Sequence, residues 1–260
     1  MANKPKESVW DLLKTVIYAV LIAVVFRSFA YEPFHIPSSS MRSTLLEGDY
    51  IFVSKYSYGY SRYSFPFGLP LFEGRVPDRA PKHGDVAVFR LPREPKVDYI
   101  KRIIGLPGDR VRISDGKLIL NDEVVKQERV DDFINRDGGV ERPILRFRET
   151  LPNGRSYLVL DTDSYGRVDN TEEYIVPEGH YFAMGDNRDN STDSRFNADM
   201  GFAKEEHVGF IPEENLIGRA EIILFSMNDE AEFAFWEVWK YPSMFRDGRF
   251  FVSLRQEERL

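Results

Sequence analysis

The 260-residue chain has no cysteine, which excludes disulfides, thiolate zinc sites, iron–sulfur clusters and a cysteine nucleophile. The absence fits an oxidising compartment, where stray thiols are avoided. Excess positive charge is also missing: 35 Lys+Arg stand against 42 Asp+Glu, a net charge of −7. A mildly acidic chain is a poor general polyanion binder, so no nucleic-acid partner is expected. Histidine is scarce, with only His35, His83, His180 and His207, and none stands in a recognisable triad setting. Internal repeats and low-complexity tracts are lacking. Apolar residues make up 42% of the chain and charged residues 30%, a globular composition that argues against wholesale disorder and multi-span membrane packing.

Long apolar runs are lacking too, with one exception near the amino terminus. Thr15 to Phe26 is uncharged throughout, and Leu12 and Leu13 extend it backward across Lys14. Val9 to Phe26 is 18 residues, or roughly 27 Å as helix, close to one bilayer core. Lys14 is near enough to the end to snorkel back to the interface. Lys4, Lys6, Lys14 and Arg27 outnumber Glu7 and Asp11 here. Lysines before the span put the amino terminus in the cytoplasm and everything after residue 30 outside. The expected partition is a short cytoplasmic segment 1–8 and a transmembrane anchor 9–27. The competing reading is a cleaved signal peptide, because Ser28-Phe29-Ala30 is a small-x-small site after an apolar stretch. The length favours a retained anchor, and composition alone leaves both open.

From Tyr31 onward the pattern is β. Strands are expected at Asp49–Ser54, Asp85–Arg90, Tyr99–Ile104, Arg110–Ser114, Lys117–Leu120, Tyr157–Asp161, Tyr181–Met184 and Arg219–Phe225. Each is short, rich in β-branched or aromatic residues and bounded by Gly, Pro, Asp or Asn. Ser114-Asp-Gly-Lys117 reads as a two-residue hairpin turn. Residues 58–81 are crowded with aromatics, Pro and Gly, which suits either an extended segment at a membrane surface or buried packing. Residues 121–156 are charged and punctuated by Gly and Pro, like the turns of an inserted subdomain. Phe233–Phe251, with Trp236, Trp239, Tyr241, Phe245, Phe250 and Phe251 beside Lys240, Arg246 and Arg249, reads as an interfacial stretch.

Three passages carry candidate chemistry. The first is Phe34-His-Ile-Pro-Ser-Ser-Ser-Met-Arg-Ser-Thr-Leu45; three serines after a proline are by themselves more often a loop than a nucleophile. The second is Asp98-Tyr-Ile-Lys-Arg-Ile-Ile-Gly-Leu-Pro-Gly-Asp109, in which Lys101 interrupts an apolar strand. A strand lysine is ordinarily a solvated edge residue. Alternation nevertheless puts Lys101 on the face of Tyr99 and Ile103, and an interior face would desolvate its ammonium. The third is Gly185-Asp-Asn-Arg-Asp-Asn-Ser-Thr-Asp-Ser-Arg195. Its acidic density invites a calcium reading, but the register fails: counting from Asp189, the sixth position is Ser194 and the twelfth Met200. A loop tied by side-chain hydrogen bonds and Asp–Arg pairs fits better, and no metal or cofactor is expected.

In this order behind an anchor, the passages resemble bacterial type I signal peptidases. The matching runs are Ile36-Pro-Ser-Ser-Ser-Met41 with Thr44-Leu45, Gly84-Asp-Val-Ala-Val-Phe89, Asp98-Tyr-Ile-Lys-Arg102 with Gly105-Leu-Pro-Gly-Asp109, and Gly185–Ser191 with Asp193-Ser-Arg195. One departure is visible: Ser43 stands where the family usually has proline, a change expected to loosen the turn after the nucleophile without touching a reacting group. The resemblance implies a serine–lysine dyad of Ser40 as nucleophile and Lys101 as general base. It also implies an oxyanion hole from the Ser40 N–H and the Ser38 hydroxyl, and Ser191 orienting the Lys101 amine. Asp193 and Arg195 would brace the loop. Phe34, Ile36, Pro37, Met41, Leu45, Tyr99 and Ile100 would wall shallow substrate pockets, although each is also of a type that packs in a core.

The resemblance further implies a mostly β fold: the transmembrane helix, then a β-rich catalytic body with an inserted β subdomain. The catalytic core is expected at 31–110 and 179–225, the insert at 111–178 and an aromatic-rich tail at 226–260. Implied partners are signal-peptide-bearing exported preproteins cut after Ala-x-Ala, the lipid bilayer and the nearby secretion translocon, at the bacterial inner membrane with the catalytic body outside. Two other classes compete. A Ser/Lys self-cleaving repressor of related fold would lack the anchor and carry a DNA-binding domain. A non-catalytic, membrane-tethered β scaffold would tolerate loss of Ser40 and Lys101.

Overall fold

The computed structural model describes residues 9–65, 68, 73–135, 141–163, 165–197, 201, 203–204, 207–228 and 242–255. The expected cytoplasmic segment 1–8, the heart of the aromatic segment at 66–67 and 69–72, and Phe233, Trp236, Trp239, Lys240 and Tyr241 lie outside the described residues.

Helix α1 spans Val9–Phe29, 21 residues with mean hydropathy 2.1 in its most apolar window, none of that window buried in the protein. It runs two residues past the expected end at 27. Its length matches a bilayer core, and large apolar side chains all round the helix face outward. A helix apolar on every side finds its solvent in lipid rather than water.

The body is β. In chain order the strands are β1 Tyr31–His35, β2 Asp49–Ser54, β3 Val86–Leu91, β4 Glu94–Gly105, β5 Arg110–Ser114, β6 Lys117–Leu120, β7 Glu123–Val124 and β8 Lys126–Arg129. There follow β9 Phe133–Asn135, β10 Arg142–Thr150, β11 Ser156–Asp161, β12 Tyr174–Ile175, β13 His180–Met184, β14 Ile211–Pro212, β15 Leu216–Ser226 and β16 Val252–Ser253. Eight form the largest sheet in the order β1-β2-β15-β3-β4-β13-β14, with β16 added to β15. Two four-stranded sheets, β11-β10-β8 with β9 on β10, and β12-β5-β6-β7, are made from residues 110–175. Asp115 and Gly116 both take positive φ (48° and 72°) and pair Ser114 with Lys117, the two-residue turn that an Asp-Gly pair favours.

All eight expected strands are present, four of them a residue or more longer than expected: β4, β11, β13 and β15. β10, nine residues long, contradicts the expectation of turns across 121–156. Its Arg146 and Arg148 alternate with Leu145 and Phe147, and the charged Glu149 falls on the face of the apolar pair, so charge on the strand masked its period. The insert also shares a core with the main sheet: Ile104, Phe182 and Met184 pack in one cluster with Val111, Ile113, Leu118, Tyr157, Val159 and Tyr174. A second cluster gathers Ile36, Met41, Leu45, Ile51, Val53, Val88, Ile100 and Ile223 beneath the first candidate passage.

The described aromatic segment packs against the end of α1, and the tail reaches back to β2 and β15. Phe29 meets the rings of Tyr60 and Phe65 edge-on, at 5.4 and 5.6 Å. In the tail, Arg249 Nε donates to Asp49 Oδ1 at 3.0 Å, and Phe245 packs between Phe225 and Phe250. Phe251 remains exposed.

Candidate active site

The three passages meet at the carboxyl-side end of β1. After His35 the chain turns through Pro37 and Ser38 into one 3₁₀ turn, Ser39–Met41. Met41 and Leu45 are wholly buried and hold that turn down on the sheet. Ser38, in extended conformation before the turn, makes no capping bond; its Oγ lies 3.5 Å from Ser40 Oγ, a neighbour rather than a strong hydrogen bond. The first N–H groups of a helical turn have no partner inside it, which leaves the Ser40 N–H available to a ligand.

β4 carries Lys101 to this turn. Its Nζ donates to Ser40 Oγ at 2.6 Å and stands 5.1 Å from the centre of the Tyr99 ring. Lys101 is 4% exposed and Ser40 8%. Burial pulls the Lys101 pKa down to about 8; the Asp193 and Asp186 carboxylates oppose this, and the Arg195 guanidinium adds to it. Desolvation disfavours a charge that water would stabilise, so the amine becomes available as a base near neutral pH.

The loop after β13 closes the site from the other side. Asn187 N–H donates to Ser40 O at 3.0 Å, Asn187 Nδ2 to Ser39 O at 3.0 Å and Asn190 Nδ2 to Ser39 Oγ at 2.7 Å. Gly185 passes so close that an added Cβ would sit 2.1 Å from Ser191 Oγ and 2.6 Å from Ser40 O; only glycine fits there. Arg195 grips Asp193 through Nε and Nη2, both at 2.8 Å, and donates to Arg188 O at 2.7 Å. Burial alone would raise the Asp193 pKa, but Arg195, the Gly185 N–H and the Ser191 hydroxyl hold it below the ordinary carboxylate value. Ser191 was expected to bond the Lys101 amine. Its hydroxyl instead donates to Asp193 Oδ2 at 2.8 Å, and the amine's hydrogen bond goes to Ser40. The Asp193 carboxylate that takes this bond acts on Lys101 as a nearby negative charge.

Behind the site, Arg102 Nε and Nη2 bond Asp186 at 2.8 and 2.7 Å. Thr44 Oγ1 donates to the same carboxylate at 2.6 Å, and the guanidinium lies 4.1 Å from the Tyr157 ring centre. The Ser43 hydroxyl donates to Leu158 O on β11. The turn expected to be loosened by loss of proline is thus tied to the insert by the residue that replaces it.

A groove of about 540 Å³ opens in front of Ser40 and Lys101. Phe34, Ile36, Pro37, Tyr99 and Ile100 line it as expected; Met41 and Leu45 do not. Those two have no exposed surface and belong to the core cluster beneath, a correction that follows from the direction of the 3₁₀ turn. Among the described residues no group of three or more His, Asp or Glu side chains is arranged to hold a metal ion.

A family model described as "Signal peptidase, peptidase S26" matches residues 9–225. The chain belongs to that family. Signal peptidase I of Rickettsia typhi is 44% identical over 232 residues, covering 86% of this chain and 83% of that protein. Signal peptidase I of Rickettsia prowazekii is 45% identical over 220 residues, covering 80% and 77%. A crystal structure of a signal peptidase I from Enterococcus faecalis covers 54% of this chain and 97% of its own, at 24% identity and a TM-score of 0.31.

For a signal peptidase, several groove residues escaped the sequence reading: His35, Ser39, Val88, Val97, Asp98, Asn190 and Thr192. A signal existed for some of them. Asn190 and Thr192 sit inside the third passage, and Val97 shares the face of Tyr99 and Lys101 along their strand. Val88 comes from β3, opposite Ile100, a pairing that sequence alone does not reveal.

Proposed function

We propose that this signal peptidase is a membrane-anchored serine endopeptidase that cuts exported preproteins by a Ser40–Lys101 mechanism. The contact of 2.6 Å between Lys101 Nζ and Ser40 Oγ, inside the protein and facing the groove, carries the reading. A serine hydroxyl needs a neighbouring base to attack an amide, and a lysine pulled down to about 8 by burial supplies one.

The chemistry closes with side chains of this chain and water. Ser40 Oγ attacks the scissile carbonyl carbon as its proton passes to Lys101 Nζ. The resulting oxyanion is held by the Ser40 N–H and the Ser38 hydroxyl, donors fixed where charge develops. The Lys101 ammonium returns the proton to the leaving amine, which departs as the mature amino terminus and leaves the signal peptide esterified to Ser40. Lys101 then takes a proton from a water that attacks the ester carbonyl, and returns it to Ser40 Oγ as that bond breaks and the signal peptide leaves with a free carboxyl terminus. Ser191, Asp193 and Arg195 position the amine.

The apolar walls from Phe34, Ile36, Pro37, Tyr99 and Ile100 suit small side chains at an Ala-x-Ala junction. An extended peptide lying between β1 and β4 gains main-chain hydrogen bonds as an added strand. Helix α1 holds the body at the outer face of the bacterial inner membrane, with the lysines that precede it, Lys4 and Lys6, in the cytoplasm, beside lipid and close to the translocon that delivers preproteins. The test is to incubate detergent-solubilised protein with a preprotein. Wild type should release a product cut at an Ala-x-Ala junction, while Ser40→Ala and Lys101→Ala, folded by circular dichroism, should release none. Cleavage by either variant would overturn the assignment.

A further inference from the structure

One ion cluster, buried at Glu32 and Lys55 and exposed at Arg27, takes no part in these steps, and it lies where the membrane helix enters the body. Arg27, in the last turn of α1, donates through Nε to Glu32 Oε1 at 2.7 Å, and its Nη2 bonds the same oxygen. The other Glu32 oxygen takes Lys55 Nζ at 2.8 Å, and Lys55 also donates to Ser64 O at 2.7 Å. The side chains of Glu32 and Lys55 are only 11% and 4% exposed. Removing both charges from water is costly, and a packed apolar pair would hold these segments at least as firmly. What ions add is direction.

A second set of contacts fixes the same joint. Tyr60 Oη donates to Phe29 O at 2.8 Å, Lys55 N–H donates to Ala30 O at 3.1 Å, and the Tyr31 and Tyr56 hydroxyls meet at 2.6 Å. From there the connection runs to the groove. Tyr63, next to Ser64, lies under Arg90 at 5.8 Å, and Arg90 pairs at 3.1 Å with Asp98 on the groove wall. β1, which carries Glu32, leads directly into Phe34–Ser40. Eight residues separate Glu32 from Ser40, a reach of up to roughly 26 Å. A tilt of about 10° at the joint would move Ser40 by up to roughly 4 Å, more than one residue of an extended substrate.

We propose that Arg27, Glu32 and Lys55 form a bracket that fixes the angle between the membrane helix and the substrate groove, so that a preprotein held in the same bilayer meets Ser40 at one depth. The proposal rests on the reading of α1 as a membrane anchor. These are positioning residues: they touch no reacting atom and act through the placement of the groove.

The test uses full-length protein and two substrates: a short soluble peptide spanning the junction, assayed in detergent, and a preprotein reconstituted with the enzyme in phospholipid vesicles. Glu32→Gln and Lys55→Met should keep kcat/KM for the peptide while cleaving the vesicle-bound preprotein roughly ten- to a hundredfold more slowly. Mass spectrometry should find extra cuts next to the normal junction. Tyr60→Phe, which removes one hydroxyl and keeps the ring, should show the same bias in milder form. Equal losses on both substrates, or no loss on either, would overturn the bracket. Wild-type protein that fails to float with the vesicles would instead overturn the anchor reading, and the bracket with it.

Discussion

The amine of Lys101 touches the hydroxyl of Ser40 at 2.6 Å, both groups nearly buried at the back of the groove. That placement has a thermodynamic cost which can be measured apart from catalysis. A lysine near 8 when folded and near its ordinary value when unfolded binds fewer protons folded than unfolded between those limits. Stability therefore rises with pH across that window, and the charged form costs stability below it.

The first expectation follows. The gap corresponds to about 3 kcal/mol, so Lys101→Met should be more stable than wild type at pH 7 by up to that amount. Denaturant unfolding measures it, and the advantage should shrink as pH rises from about 8 to the ordinary lysine value and be gone above it. A variant no more stable than wild type would mean that Lys101 is solvated.

Ser38 lies beside Ser40 without capping its turn. Ser38→Ala should lower kcat by roughly a hundredfold, the size of one oxyanion donor, with KM little changed. Steady-state kinetics on a peptide substrate separates this from a binding role, which would raise KM instead.

Asp193 holds Arg195 and opposes the loss of the proton from Lys101. In Asp193→Asn the lysine loses that carboxylate, so the rising limb of the pH–rate profile should move below 8. Stability should fall by about 3–5 kcal/mol, because Arg195 is left buried and unpaired. A destabilised variant whose limb has not moved would reduce Asp193 to a loop staple.

Met41 and Leu45 pack under the 3₁₀ turn with no exposed surface. Met41→Ala and Leu45→Ala should each cost about 2–5 kcal/mol of stability and leave the preference for alanine at the junction intact. A changed cleavage preference in either would return that residue to the groove.

Much of this was legible in the sequence because the relevant signals are local. The unbroken apolar run marks α1, the alternation around Tyr99, Lys101 and Ile103 marks β4, and Asp115-Gly116 marks its turn. What escaped depends on partners distant in the chain. Glu149 is buried against Arg188, which donates to it at 2.7 Å, so β10 looked like charged loop. Met41 and Leu45 share their residue types with a pocket wall, and only the direction of the turn separates core from groove. The bond of the Ser191 hydroxyl to Asp193 depends on how the loop folds back on itself, which its residue types do not show.

The account stands or falls on the neutral amine of Lys101, and the pH dependence of kcat/KM for a peptide substrate tests it most directly. Between pH 6 and pH 11 the rate should rise and level off with an apparent pKa of about 8, the value that burial gives Lys101. A limb near 10.4, the ordinary lysine value, or a profile that Lys101→Met retains at full height, would contradict it.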